Sequence, residues 1–169
     1  MTDKVYILLG SNLGDREKFL NDALISLSKL MGVEIIRTSG VYNSPAMEMN
    51  EPAPDFLNQA VEIKTSLSPL ELLRELKEIE AAMGRTEKGN YQSRNIDLDI
   101  LLFGNEIIDS EELTVPQSRF LKRPFALLPL VEIAPEIVHP ISRRPVKEYI
   151  SPGDCHLVTL HEEHAPASH

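Results

Sequence analysis

The sequence predicts an α+β fold, a ferredoxin-like sandwich with an antiparallel sheet and a C-terminal extension. Three observations lead there. Apolar strand-like runs and helix-spaced segments follow one another in the order β, α, β, β, α, β with no internal repeat. A capping box marks the second helix. The chain of 169 residues fits one domain, expected over 1–160 with a disordered tail at 161–169, large enough to bury roughly 68–70% of its unfolded surface.

The first strand is Val5-Tyr6-Ile7-Leu8-Leu9, followed by a turn over Gly10-Ser11-Asn12-Leu13-Gly14-Asp15. A helix then follows, with Asp15 as N-cap, an apolar stripe of Leu20, Ala23, Leu24, Leu27 and Met31, and Gly32 as the C′ residue. Val33 to Ser39 and Gly40-Val41-Tyr42 form a second strand region. The loop from Ala46 to Asp55, close to Pro45, Pro52 and Pro54, has the length of a binding lid. Strand alternation resumes from Phe56 to Thr65, with Asn58 placed where a strand seldom carries Asn. Ser68-Pro69-Leu70-Glu71 opens the second helix, whose stripe is Leu72, Leu76, Ile79 and Met83 and whose end is Gly84. Further on, Gly104-Asn105 suits a hairpin turn that lets Ile107-Ile108 run back, Leu113 to Pro116 is extended, and Phe125 to Val131 is an apolar helix or turn interrupted by Pro129.

The most informative stretch is Ser93 to Phe103, a buried-strand pattern except for Asp97 and Asp99. Residues two apart on a strand share a face, which sets the two carboxylates roughly 6.6 Å apart, with Ile96, Leu98 and Ile100 turned to the core. Like charges on one face repel, and a hard cation between them would account for the pairing; a half-exposed polar strand face is the plainer alternative. Arg94, just upstream, could bind the phosphates such a cation carries, and Arg85 leaves the helix end into the segment 86–93.

Composition narrows the function classes. Seventeen Lys and Arg against 26 Asp and Glu give a net charge of −9, which argues against a nucleic-acid surface. From Gln117 to Lys147, however, six basic residues face only Glu132 and Glu136, a local excess suited to a small polyanion. One cysteine, Cys155, excludes an internal disulfide framework. The absence of a leader pattern or of an apolar run of about 18 residues leads to the expectation of a soluble cytoplasmic protein without membrane contact. His161-Glu162-Glu163-His164 has its histidines at i, i+3, not the i, i+4 of a zinc-binding helix.

Taken together, Gly10-Ser11-Asn12-Leu13, Ser44-Pro45, Phe56-Leu57-Asn58, Arg85, Ser93-Arg94-x-x-Asp97-Leu98-Asp99-Ile100-Leu101-Leu102, Leu113-Thr114-Val115-Pro116, Arg123-x-Phe125 and Pro129-Leu130-x-Glu132-Ile133-Ala134-Pro135 resemble the 6-hydroxymethyl-7,8-dihydropterin pyrophosphokinase family. The resemblance runs from about Val5 to Pro140. It implies an enzyme of folate biosynthesis that transfers pyrophosphate from ATP to a pterin alcohol. By position it implies that Asp97 and Asp99 hold two Mg²⁺ ions, and that Arg85 and Arg94 join them as catalytic residues clamping the phosphates. It further implies a pterin site of Gly10, Ser44, Pro45, Met47, Phe56, Asn58 and Phe125, and an ATP site that adds Leu73, Glu80, Ile100, Thr114 and Arg123. A monomer acting on small molecules is expected.

The chain departs from the family pattern at Asn90 and Tyr91, where a second arginine and a tryptophan are usual, at Gln117-Ser118 in place of His-Tyr, and at Glu112 in place of arginine. Two other readings of the Asp pair are a different metal-dependent phosphoryl or nucleotidyl transferase and a ligand-sensing domain without turnover.

Overall fold

The computed structural model describes residues 4–11, 15–44, 56–84, 96–154 and 158–161. In chain order these form β1 (Lys4–Ser11), α1 (Arg16–Ser28), β2 (Val33–Thr38), β3 (Tyr42–Ser44), β4 (Phe56–Thr65), α2 (Pro69–Gly84) and β5 (Asp97–Phe103). Beyond them come β6 (Ile108–Asp109), β7 (Thr114–Val115), α3 (Pro124–Ile133) and β8 (Thr159–Leu160). The main sheet runs β5-β1-β4-β3-β8, with β2 also pairing β4, and every pair is antiparallel. This is the expected βαββαβ sandwich. Its second strand region is divided in two along β4, and Ser39 spans the break: its N–H donates to the Ala60 carbonyl at 2.9 Å and its hydroxyl accepts the Ala60 N–H at 2.9 Å.

Both faces of the sheet are apolar and covered. Val5, Ile7 and Leu9 of β1 join Leu57, Val61 and Ile63 of β4 and Leu98 and Ile100 of β5 under α1 and α2. Tyr6, Leu8 and Ala60 face the other way, under Ala126, Leu127 and Leu130 of α3. A strand buried on both sides needs no polar alternation, which is why β1 reads as a continuous apolar run. Helix starts follow their caps. The Asp15 carboxylate accepts the Lys18 N–H at 3.2 Å; Ser68 accepts from the Glu71 N–H at 3.2 Å while Glu71 accepts from the Ser68 N–H at 2.8 Å.

Several expectations need correction. β1 does not end at Leu9 but carries Gly10 and Ser11 as paired strand residues. α1 stops at Ser28, so Met31 falls out of phase and is 90% exposed; Gly32, at φ 81°, belongs to the turn into β2 and is not the C′ residue. Ile108 does not return along β5 but pairs with Val115 of β7; the chain leaves the end of β5 through a turn in which the Glu106 N–H donates to the Phe103 carbonyl at 3.0 Å. Pro129 lies inside α3 without breaking it; the buried apolar side chains on that helix outweigh one missing N–H donor. β5 carries an unannounced bulge: Ile7 faces Ile100 and Tyr6 faces Leu102, so Leu101 is the extra residue, and its carbonyl accepts the Gln117 N–H at 3.0 Å.

The turn after α3 is built on a buried histidine. His139 is 6% exposed, its Nδ1 accepts the N–H groups of Ile141 and Ser142 at 3.2 and 3.3 Å, and its ring lies 5.6 Å from that of Phe120. Burial lowers its pKa below the ordinary 6.5. An Nδ1 that accepts two hydrogen bonds carries no proton, so the folded turn requires the neutral ring. As pH falls below about 6.5 the unfolded chain takes up a proton that the folded one resists, and stability is lost until the folded pKa is passed. The urea midpoint of the wild type is therefore expected to fall on acidification through this window. A His139→Leu variant, already weaker by about 1–2 kcal/mol at neutral pH, should show a smaller further fall; parallel pH profiles would refute this.

Candidate functional site

One row of residues crosses one end of the sheet. Asp97 of β5 stands opposite Gly10 of β1, Gly10 opposite Asn58 of β4, and Asn58 opposite Tyr42 of β3. At about 4.8 Å between strands the row spans roughly 14 Å. Asp99, two residues on, faces Leu8. Because Leu98 and Ile100 are packed into the α1/α2 core, both aspartates project from the α3 face, and both are half-buried.

Among the described residues β5 lies at the edge of the sheet, where its outward N–H groups face no neighbouring strand. Glu80 of α2 supplies a partner for one: its Oε2 accepts the N–H of Leu98, the residue between the aspartates, at 2.7 Å. The strand segment bearing the carboxylates is thereby tied to a helix seated on the opposite face. Glu80, expected in an ATP-site wall, thus also anchors β5, a contact that no local sequence signal marks.

Between Asp97 and Asn58 the row has no side chain, and one added at Gly10 would have to displace the Asn58 amide. A Cβ on Gly10 would come within 2.8 Å of Asn58 Oδ1. The carboxamide therefore lies over the glycine, and its Nδ2 donates to Ser44 Oγ at 3.4 Å. Asn58 and Ser44 are only 3% and 4% exposed, so this amide is prepositioned and largely out of water. Phe56 faces Ser44 across the β3/β4 pair and is half-buried. The result is a row with carboxylates at one end and a buried amide and an aromatic ring at the other, with Gly10 between them.

The remaining expected residues are more scattered. Phe125 lies in the first turn of α3 with the Arg123 guanidinium 5.7 Å from its ring centroid. Thr114 is exposed on β7, near the Gln117 contact with the β5 bulge. Leu73 packs partly buried against the α1/α2 core, and the Ile100 side chain is 4% exposed within that core, so Ile100 can meet a ligand only through its backbone. Pro45, Met47, Arg85, Arg94, Asn90 and Tyr91 lie outside the described residues, as do both expected lids, 46–55 and 86–92.

Two supports of the site were not anticipated. Glu132 accepts from the Tyr42 hydroxyl at 2.8 Å and from the Gly40 N–H at 3.1 Å, fixing β3 to α3; a lone acidic residue in the apolar helix was its available signal. At the C-terminus, Leu160 pairs with Tyr42, the His161 N–H donates to the Val41 carbonyl at 2.7 Å, and His161 Nε2 meets Glu17 Oε2 at 2.5 Å. The expected tail thus begins with a residue tied to both β3 and α1, while 162–169 lie outside the described residues.

Among the described residues, no set of three or more His, Cys, Asp or Glu side chains converges as a metal centre. Two carboxylates on one face nevertheless suit a hard cation that takes its other ligands from water and phosphate. Gly10→Ala is expected to leave the fold intact but to push the Asn58 amide off Ser44, seen as displaced Asn58 side-chain amide signals; unmoved signals would show the row to be looser than described.

The family model for 7,8-dihydro-6-hydroxymethylpterin-pyrophosphokinase matches residues 6–135. The 2-amino-4-hydroxy-6-hydroxymethyldihydropteridine pyrophosphokinase of Bacillus subtilis (strain 168) is 44% identical over 137 residues, covering 81% of this chain and 81% of its own length. That of Aquifex aeolicus is 43% identical over 145 residues, covering 86% and 89%. The folic acid synthesis protein fol1 of Pneumocystis carinii is 42% identical over 147 residues, but this chain spans only 20% of its length. Among solved structures, Plasmodium falciparum HPPK-DHPS with pteroate superposes with a TM-score of 0.69 at 18% identity, over 88% of this chain and 42% of that one, a likeness of fold.

Proposed function

The chain belongs to the 7,8-dihydro-6-hydroxymethylpterin-pyrophosphokinase family of ATP-dependent diphosphotransferases, and on that premise we propose that it transfers pyrophosphate from ATP to 6-hydroxymethyl-7,8-dihydropterin, releasing AMP, in folate biosynthesis. The observation that carries the reading is the row Asp97, Gly10, Asn58, which sets the Asp97 and Asp99 strand one strand away from a buried amide, with a glycine between.

Each group has a role that its chemistry supports. The Asn58 carboxamide offers a donor and an acceptor to the amide-like edge of the pterin, and Ser44 holds it in place. Phe56 and Phe125 supply aromatic faces for a flat heterocycle. Gly10 lets the ring approach the backbone of β1. Asp97 and Asp99 fit two Mg²⁺ ions, which when bound would neutralise phosphate charge and make the pterin alcohol a better nucleophile. Arg85, Arg94 and Arg123 are suited to the phosphates, and Thr114, Leu73, Glu80 and the Ile100 backbone to the nucleotide. The transfer forms a bond from the hydroxymethyl oxygen to the β-phosphorus and breaks the bond between that phosphorus and the oxygen bridging it to the α-phosphate. Such reactions depend mainly on holding the attacking oxygen in line and on offsetting charge. The loops 46–55 and 86–92 act in this reading as lids that exclude water.

The same proposal places a single domain in the cytoplasm as a monomer, without nucleic-acid or membrane partners; the net charge of −9 supports the former exclusion. No helix among the described residues is long and apolar enough to cross a membrane.

Product analysis tests the reading. Purified protein with ATP, Mg²⁺ and 6-hydroxymethyl-7,8-dihydropterin should yield AMP only when pterin is present, and Asp97→Ala should lower the rate at least ~100-fold. ADP as the product would point to another transferase, and pterin binding without turnover to a sensor. Asn58→Ala should raise the pterin KM roughly 5- to 150-fold, the cost of about 1–3 kcal/mol for unpaired polar groups, with the ATP KM unchanged. Equal effects on both substrates would remove Asn58 from the pterin site.

A further inference from the structure

We propose that Glu132 is a positioning residue for the pterin half of the site: from the last turn of α3 it holds the strand that carries Ser44, and through Ser44 the Asn58 amide. The inference rests on the assignment of Asn58, Ser44 and Phe125 to the pterin made above.

Glu132 does not serve its own helix. It is the one ionisable side chain in α3, and it lies in the final turn, where the helix ends in unpaired carbonyls that repel a carboxylate. No basic residue in that turn offsets it. Its partners lie 90 and 92 positions earlier in the chain. Oε1 accepts the Tyr42 hydroxyl at 2.8 Å and the Gly40 N–H at 3.1 Å, and Oε2 meets the same N–H at 3.3 Å.

The strand so held needs the support. Arg37 also ties α3 to the sheet, its Nη1 donating to the Ile133 carbonyl at 3.2 Å, but Arg37 belongs to β2. β2 and β3 pair with β4 separately, on either side of the break at Ser39, so that bond leaves β3 unconstrained. β3 itself pairs with β4 only from Tyr42 to Ser44, and a strand that short has few ladder bonds to resist local opening.

The geometry carries the effect into the site. Tyr42 and Ser44 are two residues apart and share the α3 face with Asn58, which stands directly opposite Tyr42. The bond from Asn58 Nδ2 to Ser44 Oγ is already long at 3.4 Å, so a small shift of β3 breaks it. Phe125 lies in the first turn of the helix that ends with Glu132. One rigid element therefore bears an aromatic ring at its start and the tie to β3 at its end, and Glu132 sets the spacing between that ring and the amide that a flat heterocycle must meet together.

The test compares variants in the AMP-release assay and in ¹⁵N spectra of the full chain. Glu132→Ala should raise the pterin KM roughly 5- to 30-fold with the ATP KM within about twofold, and Glu132→Gln, which keeps an oxygen for both donors, should recover most of the loss. Tyr42→Phe removes one of the bonds, so it should raise the pterin KM less, and adding it to Glu132→Ala should cost nothing further. In the free protein Glu132→Ala should displace the Asn58 side-chain amide signals while the thermal midpoint stays within about 2–4 °C; Tyr42→Phe, which keeps the ring, decides the question if Glu132→Ala fails to fold. The spectrum needs no substrate, so the two readings fail separately: no AMP from the wild type would remove the pterin assignment, and unmoved Asn58 signals would remove the coupling. An unchanged pterin KM, an equal rise in both KM values, or multiplying effects in the double variant would each overturn the proposal.

Discussion

The register of β1 between β4 and β5 is the constraint on which the site depends. Side chains alternate along a strand, so a slip of one residue would put Leu9 or Ser11 where Gly10 lies and turn every neighbour to the wrong face. β1 itself cannot specify that register by polarity, because it is buried on both faces. The information comes from its partners: Asn58 lies over Gly10, where a Cβ would displace its amide, and the Leu101 bulge re-phases β5 beyond the aspartates. The groups proposed for the two substrates are therefore aligned by the same features that fix the strand pairing.

Stability and chemistry are divided between the two faces. The α1/α2 side is filled by Leu, Ile and Val, each worth about 1.5–3 kcal/mol on full burial. The α3 side bears the features that oppose stability, a like-charged pair on one strand and a buried amide. Glu80 and Glu132 link the faces in opposite senses. One reaches from α2 to the backbone of β5, the other from α3 to the Gly40 N–H just before β3 and to the Tyr42 hydroxyl within it, so both strands are held by carboxylates from helices.

Much of this is legible in the sequence alone. Asp97 and Asp99 stood out because they interrupt an apolar strand, and Asn58 because strands disfavour it; Ser68 and Glu71 announced a helix start that formed as expected. What was missed depends on contacts distant in sequence. Gly10 looked like a turn residue, since nothing local shows that Asn58 lies over it. Met31 continued the helical spacing, but spacing does not reveal that the chain turns after Ser28. The Leu101 bulge left no local mark, and neither did the pairing of Ile108 with Val115. His161 met Glu17 across 144 positions of sequence, beyond the reach of any periodicity.

The short β8 also matters for what covers β3. β3 would otherwise present a row of unpaired N–H and C=O groups, the template on which sheets of separate molecules join. Two residues of β8, seated by the buried Val158 and by His161, cover that row with the chain's own backbone. Colloidal behaviour is thus coupled to the segment from Val158 to His161: a protein trimmed before Val158 would offer a sticky margin to its own copies, and its loss from solution would be easy to mistake for misfolding.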